Sequence, residues 1–132
     1  MIYHSIRFAL KVGVTPEQIA PALQQLHKMG KEIDAIQFYC VGRDIGGDFD
    51  YGAMFAVKDI DGYKEYMLHP IHRVVDDNLP LVEKMISMDL TDDEDMDIAA
   101  KIREIHRSRF EQDPELHQLV INIPSYNGSG VD

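Results

Sequence analysis

The chain has 132 residues, 45% of them apolar, and a formal net charge of −10. That length supports one domain with a modest core, and the charge repels nucleic acid and anionic membrane surfaces. No apolar run reaches the roughly 18 residues of a membrane span. The N-terminus MIYHSIRFAL lacks the basic and apolar regions of a secretory signal. Cys40 is the only cysteine, which excludes an internal disulfide and a cysteine-based zinc site, and a cytoplasmic location is expected.

Ile2, His4, Ile6, Phe8 and Leu10 alternate with Tyr3, Ser5, Arg7 and Ala9. This period of two predicts a strand with one apolar face, and His4 shares that face. After Gly13, Thr15-Pro16-Glu17-Gln18 has the form of a helix start with a capping box. Ile19, Leu23, Leu26 and Met29 follow at helical spacing, and Gly30 ends the helix. Pro21 lies a turn inside, where it is expected to bend the first turn. Ile36, Phe38 and Cys40 alternate with Gln37, Tyr39 and Val41 in a second strand, with Cys40 expected as a small buried hydrophobe. Residues 42–49 read as a glycine-bearing loop, and Tyr51 to Val57 as a third strand that pairs with the second.

Asp59 caps a second helix through Leu68. Pro70 pushes the residue before it out of the helical region, so the helix breaks at His69. A short helical stretch, Ile71 to Asn78, precedes a fourth strand in which Lys84, Ile86, Met88 and Leu90 alternate with Met85, Ser87 and Asp89. The order βαββαβ is that of a ferredoxin-like α+β fold, with a four-stranded antiparallel sheet and both helices on one face. The uncovered face is expected to carry Ile, Phe, Met and Leu side chains. A two-fold dimer that closes two such sheets into a barrel is the economical way to cover them.

Residues 1–90 are therefore read as one domain. Residues 91–132 are read as an acidic linker, a helical extension and a mobile tail. The run Asp89 to Asp97 is expected to be solvated and lacks the spacing of a calcium loop. Met96 to Phe110 has the pattern of an amphipathic helix, with Ile98, Ile102, Ile105 and Phe110 near one face. Asp113-Pro114-Glu115 begins a short helix or turn. Pro124 to Gly130 is turn-rich.

The strand-one histidine, the Val41-Gly42-Arg43-Asp44 segment and above all Tyr66-Met67-Leu68-His69-Pro70-Ile71-His72 carry a resemblance. Residues 2 to about 90 resemble the stress-responsive A/B barrel (Dabb) family of the dimeric α/β barrel superfamily. The resemblance implies a ferredoxin-like homodimer. One plant member, olivetolic acid cyclase, closes a polyketide without a redox cofactor. Its catalytic tyrosine and histidine match Tyr66 and His72, its strand-one histidine matches His4, and its strand-three histidine is replaced by Ala53.

Two functional readings follow. In one, the protein is a dimer that binds a small apolar molecule in a barrel cavity, with His4, Phe8, Phe38, Ala53 and Phe55 as ligand-binding residues. In the other, it is a cofactor-independent cyclase, lyase or monooxygenase acting on a polyketide-like or β-dicarbonyl compound. His72 would then be the base, because histidine exchanges protons near neutral pH. Tyr66 would donate a hydrogen bond to the developing oxyanion. The alternative for both is structural: a histidine after a helix-ending proline can simply serve the freed backbone carbonyls. His69 is assigned that role. No metal and no cofactor is expected, and the partners are a second copy and a small ligand, with neither nucleic acid nor membrane.

Overall fold

A computed structural model describes residues 1–129. Its elements are β1 (Ile2–Leu10), α1 (Pro16–Glu32), β2 (Ile36–Arg43), β3 (Tyr51–Val57), α2 (Ile60–Leu68) and α3 (Pro70–Asp76). A single 3-10 turn, Leu79–Leu81, leads into β4 (Val82–Thr91), and α4 (Ile98–Gln112), α5 (Pro114–Ile121) and β5 (Ser125–Gly128) complete the chain. The predicted starts hold for physical reasons. Thr15 and Gln18 exchange the two hydrogen bonds of a capping box, and Gly13 takes the positive φ of the turn before it. Asp59 accepts from the Gly62 N–H at the start of α2. Asp113 does the same for Leu116 at the start of α5. His69 ends α2 and caps α3, its ring accepting from the Ile71 N–H.

The sheet order is β2-β3-β1-β4-β5. The first four strands are antiparallel, as expected. The fifth is a departure: Ser125 to Gly128, within the segment expected to be a mobile tail, pair in parallel with Lys84 to Ser87. The sheet is therefore five-stranded and mixed rather than four-stranded and antiparallel. The free edge of β4 presents unpaired N–H and C=O groups, and a four-residue return strand satisfies them. The rest of the expected tail, residues 130–132, lies outside the described residues.

One sheet face packs under the helices. Ile2, Phe8, Phe55 and Val57 are buried there with Ile19, Leu26 and Met29 of α1 and Tyr63, Tyr66 and Met67 of α2. Gly30 lets α1 approach closely, because a Cβ there would stand 2.3 Å from the Tyr39 ring. Ile102 and Ile123 of the extension belong to the same hydrophobic cluster. The extension is thus a layer of the fold rather than an appendage.

Among the described residues, no layer covers the other sheet face. It carries Tyr3, Phe38, Met54, Ile86, Met88 and Leu90, with Phe38 and Leu90 among the exposed large hydrophobics. Cys40 lies on this face and is exposed, which corrects its expected burial: the hydrophobic-in rule does not say which face of a half-covered strand is in. One end of the face is partly closed by the β2–β3 loop. There Asp44 makes a two-pronged ion pair with Arg7 at 2.6 and 2.8 Å, and the Phe49 ring lies under Arg7 and Lys84.

Candidate active site

A cavity of about 70 Å³ lies between the covered face of the sheet, α2, α3 and the extension. The first part of the chain supplies His4 and Ser87 from β1 and β4, and Tyr66, His72 and Asp76 from α2 and α3. The extension supplies His106, Arg109 and Tyr126. Leu26, Met29, Val75 and Val120 form an apolar flank. On this measure a water needs about 10–15 Å³, so the cavity has room for several waters or a small molecule.

Tyr66 and His72 come together as the resemblance implies. Their rings stack with centroids 5.2 Å apart, because the Pro70 break turns α3 back under the end of α2. His72 Nδ1–H donates to the Met67 carbonyl at 3.0 Å. That bond serves the freed carbonyl at a broken helix end, and it also fixes the tautomer: the lone pair sits on Nε2, 4.0 Å from Asp76 Oδ1. Burial and the nearby Arg109 charge hold the His72 pKa well below 6.5, so the ring is neutral at pH 7. Burial, with the charges of Asp89 and Asp76, holds the Tyr66 phenol well above 10. Both groups are in the protonation states that a base and a hydrogen-bond donor need.

Beside this pair runs a second polar chain. His4 Nδ1–H donates to Asp89 Oδ1 at 2.7 Å, and both side chains are under 5% exposed. Tyr63 Oη donates to Asp89 Oδ2 at 3.0 Å, and the Ser129 hydroxyl donates to the same oxygen. The Tyr63 proton is thereby committed, so His106 Nε2–H donates to Tyr63 Oη at 2.8 Å. Burial alone would raise the Asp89 carboxyl, but these hydrogen bonds hold it below the usual carboxylate range. Burial and the neighbouring His4 push the His106 pKa down to about 4. Arg109, 11% exposed, closes the far side with a hydrogen-bonded ion pair to Asp76. Burial raises the Asp76 pKa against the pull of Arg109.

Of the other expected ligand residues, Phe8 lines a smaller apolar pocket of about 30 Å³ that shares Ile6, Leu26 and Met85 with the main cavity. Ala53 and Phe55 are buried on the covered face but do not border the cavity; Phe55 packs its ring on Tyr66 at 5.3 Å. Phe38 is on the opposite sheet face, 51% exposed, and does not border the cavity. A register shift between Ile36 and Phe38 turns Phe38 to the face opposite Ile36.

The residues that sequence reasoning missed had a faint signal. Ile102, His106 and Arg109 stand at i, i+4 and i+7, one face of α4. Asp89, expected both in the fourth strand and at the start of the solvated acidic run, lies directly opposite His4 in β4.

Residues 2–92 match the stress responsive A/B barrel domain. No curated protein matches the sequence. Among solved structures, a dimeric ferredoxin-like protein of unknown function from Thermobifida fusca is 26% identical at a TM-score of 0.62, covering 68% of this chain and 89% of its own. A Dabb family protein with a ferredoxin-like fold from Mesorhizobium loti is also 26% identical, with a TM-score of 0.59 over 68% of this chain and 94% of that one. The hydroxynitrile lyase of Passiflora edulis is 13% identical at a TM-score of 0.62, covering 70% of this chain and 94% of its own, which is a likeness of fold.

Proposed function

The chain belongs to the stress responsive A/B barrel family, and on that premise we propose that it is a homodimer whose protomers each hold a small molecule in the cavity beneath the extension. The dimer is supported by the apolar sheet face that the fold leaves uncovered and by the dimeric state of the ferredoxin-like relative. The cavity's make-up selects its ligand. One flank is apolar and the other carries hydroxyl, imidazole and guanidinium groups, so the occupant is a molecule of a few heavy atoms with one polar end. This narrows the expectation of a purely apolar ligand.

The observation that carries a catalytic reading is the His72 tautomer. A neutral imidazole with its lone pair turned to the cavity, stacked on a protonated Tyr66, can take a proton from carbon beside a carbonyl while a phenol steadies the enolate oxygen. A hydroxynitrile lyase is built on the same fold, so the fold accommodates a lyase. The test uses acetone as probe. The full-length protein in deuterium oxide should speed exchange of its methyl protons, followed by NMR, and His72→Ala should lose at least ten-fold of that acceleration. If His72→Ala and Tyr66→Phe both leave probe binding and exchange unchanged, the site lies elsewhere.

A further inference from the structure

We propose that Ser87 is a second reactive group of this cavity, a nucleophile that His4 activates and Asp89 orients, suited to acyl transfer from a small ester or thioester. The proposal rests on the reading that the cavity takes a small molecule, and it adds an activity that the Tyr66–His72 pair does not perform.

The geometry follows from the register of β1 on β4. His4 lies opposite Asp89 and Ile6 lies opposite Ser87. Side chains alternate along a strand with period two, so His4, Asp89 and Ser87 all emerge on the covered face, with Ser87 diagonal to His4. Asp89 Oδ1 receives the His4 Nδ1 proton at 2.7 Å, which leaves the lone pair on Nε2. Ser87 Oγ lies 3.3 Å from that nitrogen and donates to it. Nucleophile to base, and base to a carboxylate that fixes its tautomer, is the connectivity of a serine triad on a scaffold of its own.

Three features point to reactivity rather than packing alone. The carboxylate is held rigid by two further donors, Tyr63 and Ser129, so it cannot turn away from the imidazole. Both His4 and Ser87 border the cavity, so Oγ can reach a bound carbonyl carbon. The side chains of Tyr66 and Tyr126 border the same space, where a phenol can donate to an oxyanion. All three members of the relay sit on central strands, where positional freedom is least.

In the acylation step, a bond forms between Ser87 Oγ and the acyl carbon while the bond from that carbon to the leaving alkoxide or thiolate breaks. The Oγ proton passes to His4 Nε2 and from there to the leaving group. Water then follows the same path: His4 takes its proton, hydroxide adds to the acyl carbon, and Oγ departs and regains a proton. The net reaction is hydrolysis to a short carboxylic acid. The size of the cavity favours a short acyl group.

Methanesulfonyl fluoride is a probe of suitable size. Ser87 Oγ would displace fluoride from sulfur as His4 accepts the proton. Intact-mass analysis and peptide mapping of the full chain should find one sulfonyl group on Ser87. Ser87→Ala should abolish the label, and Asp89→Asn, which keeps the shape, should slow it at least a hundred-fold. Labelling of another residue, no labelling, or a rate on Ser87 that Asp89→Asn leaves unchanged would each overturn the proposal. Acetone binding by the unmodified protein separates the two readings: binding without labelling removes only the Ser87 activity, whereas loss of both removes the cavity reading itself.

Discussion

The family domain and the extension build opposite walls of one cavity with different chemistry. The wall from residues 2–92 holds polar groups on rigid supports: a stacked Tyr66–His72 pair at a helix break and a chain of Ser87, His4 and Asp89 across two central strands. The wall from the extension is a tied cover. Arg109 bonds Asp76, Ser129 bonds Asp89, His106 bonds Tyr63, and β5 zips onto the edge of β4. The difference shows how a common fold is specialised. Reactive groups sit where strand register and helix ends hold them, and the added segment sets the size of the space and its charge balance.

The contrast breaks most severely at the ion pair between the walls. Arg109→Leu leaves Asp76 buried without its partner, which should cost about 3–5 kcal/mol in urea unfolding. Adding Asp76→Asn should recover much of that loss, because the buried charge is then gone. If the single variant is as stable as the parent, the cover is not tied there.

Leu116 is fully buried beneath α5. Leu116→Ala should cost about 3 kcal/mol. Amide exchange should speed first in α5 and β5, ahead of β1 and β3, since the cover would open before the core. Equal acceleration in all strands would mean that the two regions unfold as one unit.

The pH dependence sharpens the comparison further. His106 is held neutral, its pKa lowered from 6.5 to about 4. Between those values the unfolded chain binds the proton that the folded chain refuses, so stability is full above about pH 6.5 and falls as pH drops toward 4. At roughly 1.4 kcal/mol per pH unit, this one group should remove about 2 kcal/mol between pH 7 and pH 5. His106→Gln keeps a donor to Tyr63 and cannot titrate, so it should flatten the loss by that amount. Parallel curves for parent and variant would show that His106 is not the group responsible.

The smallest effect on the cavity should come from the far side of the sheet. Phe38→Asp with Leu90→Asp should convert a dimer to a monomer in light scattering, while the NMR signals of His72 and His4 stay in place. A dimer that survives both changes would place the interface elsewhere.

Much of the fold was readable along the chain because its signals are local. Period-two runs marked β1 to β4, the Thr15–Gln18 box and Asp59 marked helix starts, and Pro70 marked the break that brings His72 under Tyr66. The tyrosine and histidine were therefore found by motif. At β4 the expectation of apolar side chains on the uncovered face holds, but the rules do not mark its inward polar residues. Its visibly apolar set, Ile86, Met88 and Leu90, lies on the uncovered face, and its polar set, Ser87 and Asp89, is inside. Alternation tells which residues share a face but not which face the helices cover.

The sequence by itself determined the first four strands, the caps and the helix break, since each depends on residues within a few positions of one another, and the family resemblance added the Tyr66–His72 pairing. Tertiary structure alone decided the rest. Asp89 became a site residue because β1 pairs with β4 across some 85 positions. His106 and Arg109 became cavity walls because the extension folds back, and Ser125 to Gly128 became a strand because β4 offered an open edge. Each is a contact between distant segments, and nothing local in the chain encodes its partner.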